Sequence, residues 1–281
     1  MTLNNTSEEV QEAFDIYIVG TGIVSVQHIT HEIDAVLRRS KEVLYVDNSF
    51  GIREYLEQVC PKVTNLHPIA YREGEERINA YNIMTAKVIE AALDNPPVTF
   101  ALYGHPLVFA NPPFQVLKIA PLFGLRVKVL PGISAMDTLF VDLGLDPSVQ
   151  GLQMYEATDL LLRQHSLQPN VPCLIWQIGT VESRLYSESM SKPKRFTRIK
   201  NYLLKFYPSN HKLVAVYSST YPLVKSSRTV FCLKDIESYA ECLHQGVTVY
   251  IPPIESCSVA DHELYSKIDS TDYLQKITNN H

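Results

Sequence analysis

Residues 98–106 read VTFALYGHP and residues 125–135 read LRVKVLPGISA. Each is an apolar, β-branched run that stops on glycine and proline, the pattern of a buried strand delivering a stiff loop. DIYIVG at 15–20, followed by Thr21 and Gly22, and EVLYVD at 42–47 repeat it upstream, and 63–66 reads as a short strand. Between these runs the period changes to that of a helix. Val26, Ile29, Ile33, Val36 and Leu37 predict a helix over 25–39, and a second follows over 50–59. Ile78, Tyr81, Met84, Val88 and Ala92 predict a long one over 74–94. Asn111-Pro112-Pro113 reads as a helix start, with a cap residue before two prolines, and another helix is predicted over 134–143. Strands alternating with helices predict an α/β domain built on a mostly parallel sheet. Ligands of such sheets bind at the carboxyl ends of the strands, where GTG, YGHP and PGISA fall.

The second half changes character. Candidate strands at 172–178, 212–218, 228–233 and 247–251 have one helical pattern among them, Phe196, Ile199, Leu203 and Phe206. That predicts a smaller α+β domain. The expected organisation is a polar lead over 1–13, where Thr6-x-x-Glu9 offers a capping box, an α/β domain over 14–135, an α+β domain over 136–254, and a polar tail over 255–281 that offers Tyr265 and Tyr273 for docking on the body.

Composition bounds the function. The 281 residues are 46% hydrophobic and 20% charged, the balance of a soluble globular chain of about two domains. A net charge of −5 argues against a protein that wraps nucleic acid, which requires a basic field. Five cysteines without a C-x-x-C spacing predict neither a disulfide framework nor a zinc module and fit a reducing cytoplasm. The acidic opening does not read as a signal peptide, and no apolar run approaches the roughly 18 residues of a membrane span.

Several constellations could carry chemistry. Gly20-Thr21-Gly22 with Asp47 at the end of the next strand imitates a dinucleotide site, although a short glycine pattern is weak evidence and a tight strand-to-helix turn with no ligand is the plainer reading. His28 and His31 share a predicted helix face but have no third ligand nearby, so the plainer reading is a surface pair. Lys192, Lys194, Arg195, Arg198, Lys200 and Lys205 make one helix basic, most simply as its solvated face. Arg77 and Tyr81 are four apart and share a helix face, with Tyr71 in the loop before them. A guanidinium beside a phenol lowers the phenol's pKa, so this set could handle a weakly acidic proton. A packed amphipathic helix is the alternative.

The ordered set GTG, YGHP at 103–106, PGISA at 131–135, DLGLDP at 142–147, EATD at 156–159, WQ at 176–177 and YIPP at 250–253 resembles the tetrapyrrole methylase superfamily, the class III S-adenosylmethionine methyltransferases. The resemblance covers roughly residues 14–254. Within it, Tyr71…Arg77-x-x-x-Tyr81 ahead of YGHP looks closest to the split borosin peptide backbone α-N-methyltransferases. The resemblance implies a two-domain fold with S-adenosylmethionine in the interdomain cleft and S-adenosylhomocysteine as product. It implies a catalytic group of Tyr71, Arg77, Tyr81 and Tyr103, and a donor site of Tyr103, His105, Val108, Phe109, Ser134, Ala135, Gln177, Ser218 and Thr248. It also implies a homodimer, or a heterotetramer with two precursors, and no metal, nucleic acid or membrane partner. Leu107 stands where the family has glycine. The fused enzymes carry their peptide at the C-terminus. YIPP lies close to the end of this sequence and the tail lacks an apolar core peptide, which leads us to expect a separate precursor.

An amide nitrogen is a poor nucleophile because its lone pair is delocalised. Tyr81 as a phenolate, made accessible by Arg77, would remove the amide proton while Tyr71 stabilises the oxygen. Two alternatives stand beside this: a corrin or porphyrin methyltransferase of the same fold, and a non-catalytic module that binds donor and peptide.

Overall fold

A computed structural model describes residues 13–278. Thr6 and Glu9, with the rest of the lead, lie outside the described residues. Five strands, β1 (Ile16–Gly20), β2 (Glu42–Val46), β3 (Val63–Asn65), β4 (Val98–Leu102) and β5 (Val127–Leu130), form one sheet in the order β3-β2-β4-β1-β5 with every pairing parallel. The period-two alternation decides which side each residue packs on. Ile16, Ile18, Leu44, Val98, Phe100 and Leu102 face the helices Arg77–Asp94 and Pro112–Ile119, where Met84, Val88 and Val116 are buried. Val19, Val43, Tyr45 and Ala101 face the helices His31–Arg39 and Ile52–Val59 through Ile33, Leu37, Ile52 and Leu56.

Five further strands, β6 (Gln153–Glu156), β7 (Cys173–Trp176), β8 (Lys212–Tyr217), β9 (Ser227–Cys232) and β10 (Thr248–Ile251), make a second sheet in the order β6-β7-β10-β8-β9. Only β6 and β7 run parallel; the other three pairings are antiparallel. One face buries Ile175, Ala215, Val249 and Ile251 against Phe196, Ile199 and Leu203. The other presents Leu174, Trp176 and Val216 to Leu139 of the helix Ala135–Leu143, so the helix that leaves the first sheet packs on the second. Among the described residues no helix is long and apolar enough to cross a membrane.

The structure corrects several local expectations. The helix expected over 25–39 is a single turn, Ser25–His28, followed by a break and the helix His31–Arg39. His28 Nδ1 accepts the Ile23 and Val24 N–H groups at the start of the short turn, and Ile29 and Thr30 are extended before Thr30 caps Ile33 and starts the next helix. His28 and His31 therefore do not share a face. Asn111 lies in helical backbone and makes no capping bond. Strand β6 and the helix Ala157–Arg163 were not predicted. In the tail, Tyr265 stays exposed rather than docking on the body. The basic stretch does keep the solvated face expected of it: Lys192, Lys194, Arg198 and Lys205 are exposed, while Lys200 pairs with Glu237.

Three strand-end loops converge where β1, β4 and β5 stop. A Cβ on Gly132 would lie 2.6 Å from Gly20 O and 2.7 Å from Gly104 O, and one on Gly20 would lie 2.2 Å from Gly104 O. Backbone is packed on backbone there, with no room for a methyl group. Gly132→Ala should cost about 1–3 kcal/mol by overpacking, read as a lowered Tm in a thermal melt. A melt matching the parent would refute the packing argument.

Candidate active site

A cavity of about 670 Å³ opens between the two sheets. The first domain supplies Tyr103, His105, Val108, Phe109, Ser134 and Ala135; the second supplies Gln177, Ser218 and Thr248. These are all nine residues expected at the donor site, brought together from five separate stretches of chain. Several are already committed. Ser134 Oγ accepts from Met136 N (3.1 Å) and Asp137 N (3.3 Å), and the Asp137 carboxylate accepts the Ser134 N–H (2.6 Å), a complete capping box. Ser218 donates to Asp142 (2.5 Å), and His105 Nδ1 accepts the Leu107 N–H (3.1 Å). Leu107 is thus accommodated in a loop that its own backbone closes.

Asp47, Asn48, Trp176, Tyr217, Tyr221 and Gln245 also line this cavity and were not assigned to the donor from sequence. Asp47 ends β2 and is buried; Thr21 donates to it (2.5 Å) and so does the Ser49 N–H (2.7 Å). That carboxylate ties two strand ends together, which accounts for its spacing from the GTG turn without a dinucleotide. The residues fit S-adenosylmethionine: the cavity mixes carboxylate, amide, hydroxyl and aromatic groups, and the buried Trp176 Nε1 in its wall has no hydrogen-bond partner of its own.

Beyond Phe109, Ala110 and Gln177 lies a second space. An inner cavity of about 220 Å³ is lined by Tyr71, Arg77 and Tyr81. A groove of about 630 Å³ beside it is also lined by Arg77 and Tyr81. Phe109, Ala110 and Gln177 border the donor cavity, the inner cavity and the groove alike. Phe109 and Gln177, one from each domain, hold φ values of 51° and 55°, a costly conformation for side chains of their kind. The Gln177 amide reaches Phe109 O (3.4 Å), and the Phe109 ring lies on Trp176, with centroids 5.1 Å apart. This strained pair forms the partition between the 670 Å³ cavity and the inner one. Tyr103 lies in the larger cavity, near Asp47 and Tyr217, and does not line the inner cavity with Tyr71, Arg77 and Tyr81.

The electrostatics revise one expectation. Burial pushes the Tyr81 phenol above its usual range, and Arg77 pulls it back only in part. Burial raises Tyr71 and Tyr103 further still. At neutral pH these phenols rest protonated; a ready phenolate on Tyr81 is not the ground state, because desolvation outweighs one guanidinium. Arg77 makes no ion pair among the described residues. Its Nη2 donates to Ser183 O (2.7 Å) instead, so neutral carbonyl oxygen orients the charge without cancelling it.

A family model described as tetrapyrrole (corrin/porphyrin) methylases matches residues 15–222. The chain belongs to that family. The methylase is 29% identical over 254 residues to a methyltransferase/type I borosin cyclic peptide precursor of Serendipita vermifera subsp. bescii, covering 89% of this chain and 61% of the relative. It is 31% identical to a type II borosin precursor of Phlebiopsis gigantea, over 84% of this chain and 42% of the relative. The omphalotin A precursor of Omphalotus olearius is 29% identical, over 86% and 58%. The methylase thus spans about three-fifths or less of the length of these relatives. Among solved structures, the methyltransferase CobJ superposes with a TM-score of 0.59 at 17% identity, covering 88% of this chain and 97% of CobJ. A uroporphyrin-III C-methyltransferase of Thermus thermophilus, complexed with S-adenosyl homocysteine, superposes at 0.57 and 17%, over 84% of this chain and 96% of that one.

Ser134→Ala removes the cap beneath the donor cavity. It should lower stability by about 0.5–2 kcal/mol and weaken S-adenosylhomocysteine binding in calorimetry, whereas full affinity with a lowered Tm would separate the cap from the donor site.

Proposed function

We propose that this methyltransferase transfers the methyl group of S-adenosylmethionine to backbone amide nitrogens of a separate ribosomal precursor peptide, working as a homodimer. The observation that carries the reading is the placement of Tyr71, Arg77 and Tyr81 in one cavity that shares Phe109, Ala110 and Gln177 with the donor cavity. The borosin relatives, named as methyltransferases joined to cyclic peptide precursors, support the acceptor class.

Tyr103, His105, Val108, Ser134, Ala135, Ser218 and Thr248 would hold the donor, which supplies an electrophilic methyl when bound. The remaining task falls on the acceptor. Tyr71, a protonated phenol, donates to the amide oxygen and stabilises negative charge as it moves there. Tyr81 receives the amide proton on its Oη in the minor fraction of molecules in which that phenol is ionised. The Arg77 guanidinium lies beside the developing charge on both. The nitrogen then forms its bond to carbon as the carbon–sulfur bond breaks, and the proton on Tyr81 passes to solvent. The Phe109–Gln177 partition excludes water and aligns nitrogen with methyl, converting binding into proximity.

Two measurements test this. Co-expression with the small proteins encoded beside its gene should yield methyl-sized mass increments on backbone positions, and Arg77→Ala should abolish them while S-adenosylhomocysteine still binds. Bound S-adenosylhomocysteine with no increments on any peptide would refute the peptide acceptor. Because a raised phenol pKa leaves less phenolate at low pH, kcat should climb about tenfold per pH unit between 7 and 9. Tyr81→Phe should lower kcat by about 10²–10⁴ and flatten that slope. A pH-independent parent rate would remove Tyr81 as the proton acceptor.

A further inference from the structure

The segment Ser183–Glu188 belongs to the second domain, yet its bonds reach the first. Gly74 N–H donates to Tyr186 O (2.9 Å), Tyr186 N–H to Glu75 O (2.8 Å) and Arg77 N–H to Arg184 O (3.0 Å). Glu76 and Leu185 pair as an antiparallel bridge. The Glu73 carboxylate accepts from Ser187 Oγ (2.6 Å) and from the Glu188 N–H (2.9 Å), latching the segment from the surface. From its own domain, the Gln245 amide donates to Ser187 O (2.5 Å).

This strap reaches the chemistry at two points. It supplies the Ser183 carbonyl that holds the Arg77 guanidinium. It also carries Tyr186, whose ring stacks on Tyr71 with centroids 4.6 Å apart and planes 27° apart. Tyr186 lines the inner cavity together with Tyr71, Arg77 and Tyr81. His67 backs the pair, 5.0 Å from the Tyr71 ring and edge-on to Tyr186 at 6.0 Å. The Tyr186 hydroxyl donates to Glu188 (2.7 Å) and lies 3.4 Å from His67 Nε2, so its polar end is occupied outside the cavity and the ring face is what it offers to the site. Tyr71 follows the short helix His67–Ala70, and its ring lies against His67 of that segment and the core on one hand and Tyr186 of the strap on the other. The strap supplies the closer ring, at 4.6 Å.

We propose that Tyr186 is a positioning residue for methyl transfer, and that the acceptor site is complete only when the Ser183–Glu188 strap is docked on the Glu73–Arg77 loop. The stack sets the direction in which Tyr71 presents its hydroxyl, and the strap carbonyls set the direction of Arg77. The two domains thereby assemble the site jointly, with Glu73 as the latch. The proposal rests on the peptide-methylation reading above and deepens it by naming what orients its residues.

The test uses the full chain with Tyr186→Phe, Tyr186→Ala and Glu73→Ala. It combines methyl transfer to the co-expressed peptide, calorimetry with S-adenosylhomocysteine, and hydrogen exchange. Tyr186→Phe keeps the stack and should retain kcat within about threefold, whereas Tyr186→Ala should lose at least about tenfold, with donor affinity held within about twofold in both. Glu73→Ala touches no cavity. It should raise KM for the peptide and speed exchange of the Gly74, Arg77 and Tyr186 amides. Parental turnover in Tyr186→Ala, equal losses in the Phe and Ala variants, donor affinity falling in step with turnover, or unchanged exchange in Glu73→Ala would each overturn the proposal. A parent chain that binds S-adenosylhomocysteine but methylates no peptide overturns the peptide reading instead. The exchange measurement then decides the strap by itself, because it needs no acceptor.

Discussion

Everything at this site depends on a contact with no side chains in it. Gly20, Gly104 and Gly132 end three neighbouring parallel strands, and their backbones approach so closely that a methyl group on Gly20 or Gly132 would strike a carbonyl oxygen. Gly22 and Gly104 exchange N–H···O bonds across the same junction (2.9 and 3.2 Å). Because the turns are pressed together, YGHP and PGISA leave the sheet side by side and form one wall of the donor cavity. The role of glycine here is close approach, which is why a pattern resembling a dinucleotide fingerprint needs no dinucleotide to explain it.

The opposite wall comes from the second sheet, and the junction of the two carries strain. Phe109 and Gln177 both occupy left-handed backbone where neither residue type is favoured, and they meet across the domain boundary. Strained backbone persists only where the surroundings over-determine it. Here the packing of Phe109 on Trp176 supplies part of that constraint. The same pair separates a space suited to a methyl donor from one lined by two phenols and a guanidinium, a spatial relation that a methyl-transfer enzyme requires.

In the inner cavity two electrostatic effects oppose each other. Burial favours neutral phenols on Tyr71 and Tyr81, while the Arg77 charge favours phenolate. Burial is the larger, so both phenols rest protonated. Arg77 retains its full charge because peptide carbonyls hold it, and a carboxylate partner in the same place would have left less field for the site.

The sequence by itself determined the parts that depend on near neighbours. Period-two and helical spacing identify the parallel sheet and its helices, among them the one expected over 134–143, and the four-residue step from Arg77 to Tyr81 puts both on one face. The same local logic failed at Ile29 and Thr30, whose extended backbone, with the Thr30 cap, interrupts a helix that periodicity alone continues. It also passed over β6, four residues ending on a glutamate. The nine residues that resemblance points to as a donor site come from sequence motifs, but their convergence in one cavity from two domains is a tertiary fact. So are the bonds from Ser183 and Arg184 to Arg77, more than a hundred residues away in the chain, the Tyr186 stack on Tyr71, and the burial that raises Tyr81. Spacing decides which side chains share a face, whereas dielectric and orientation depend on whatever distant chain packs over that face. Only the folded structure supplies that.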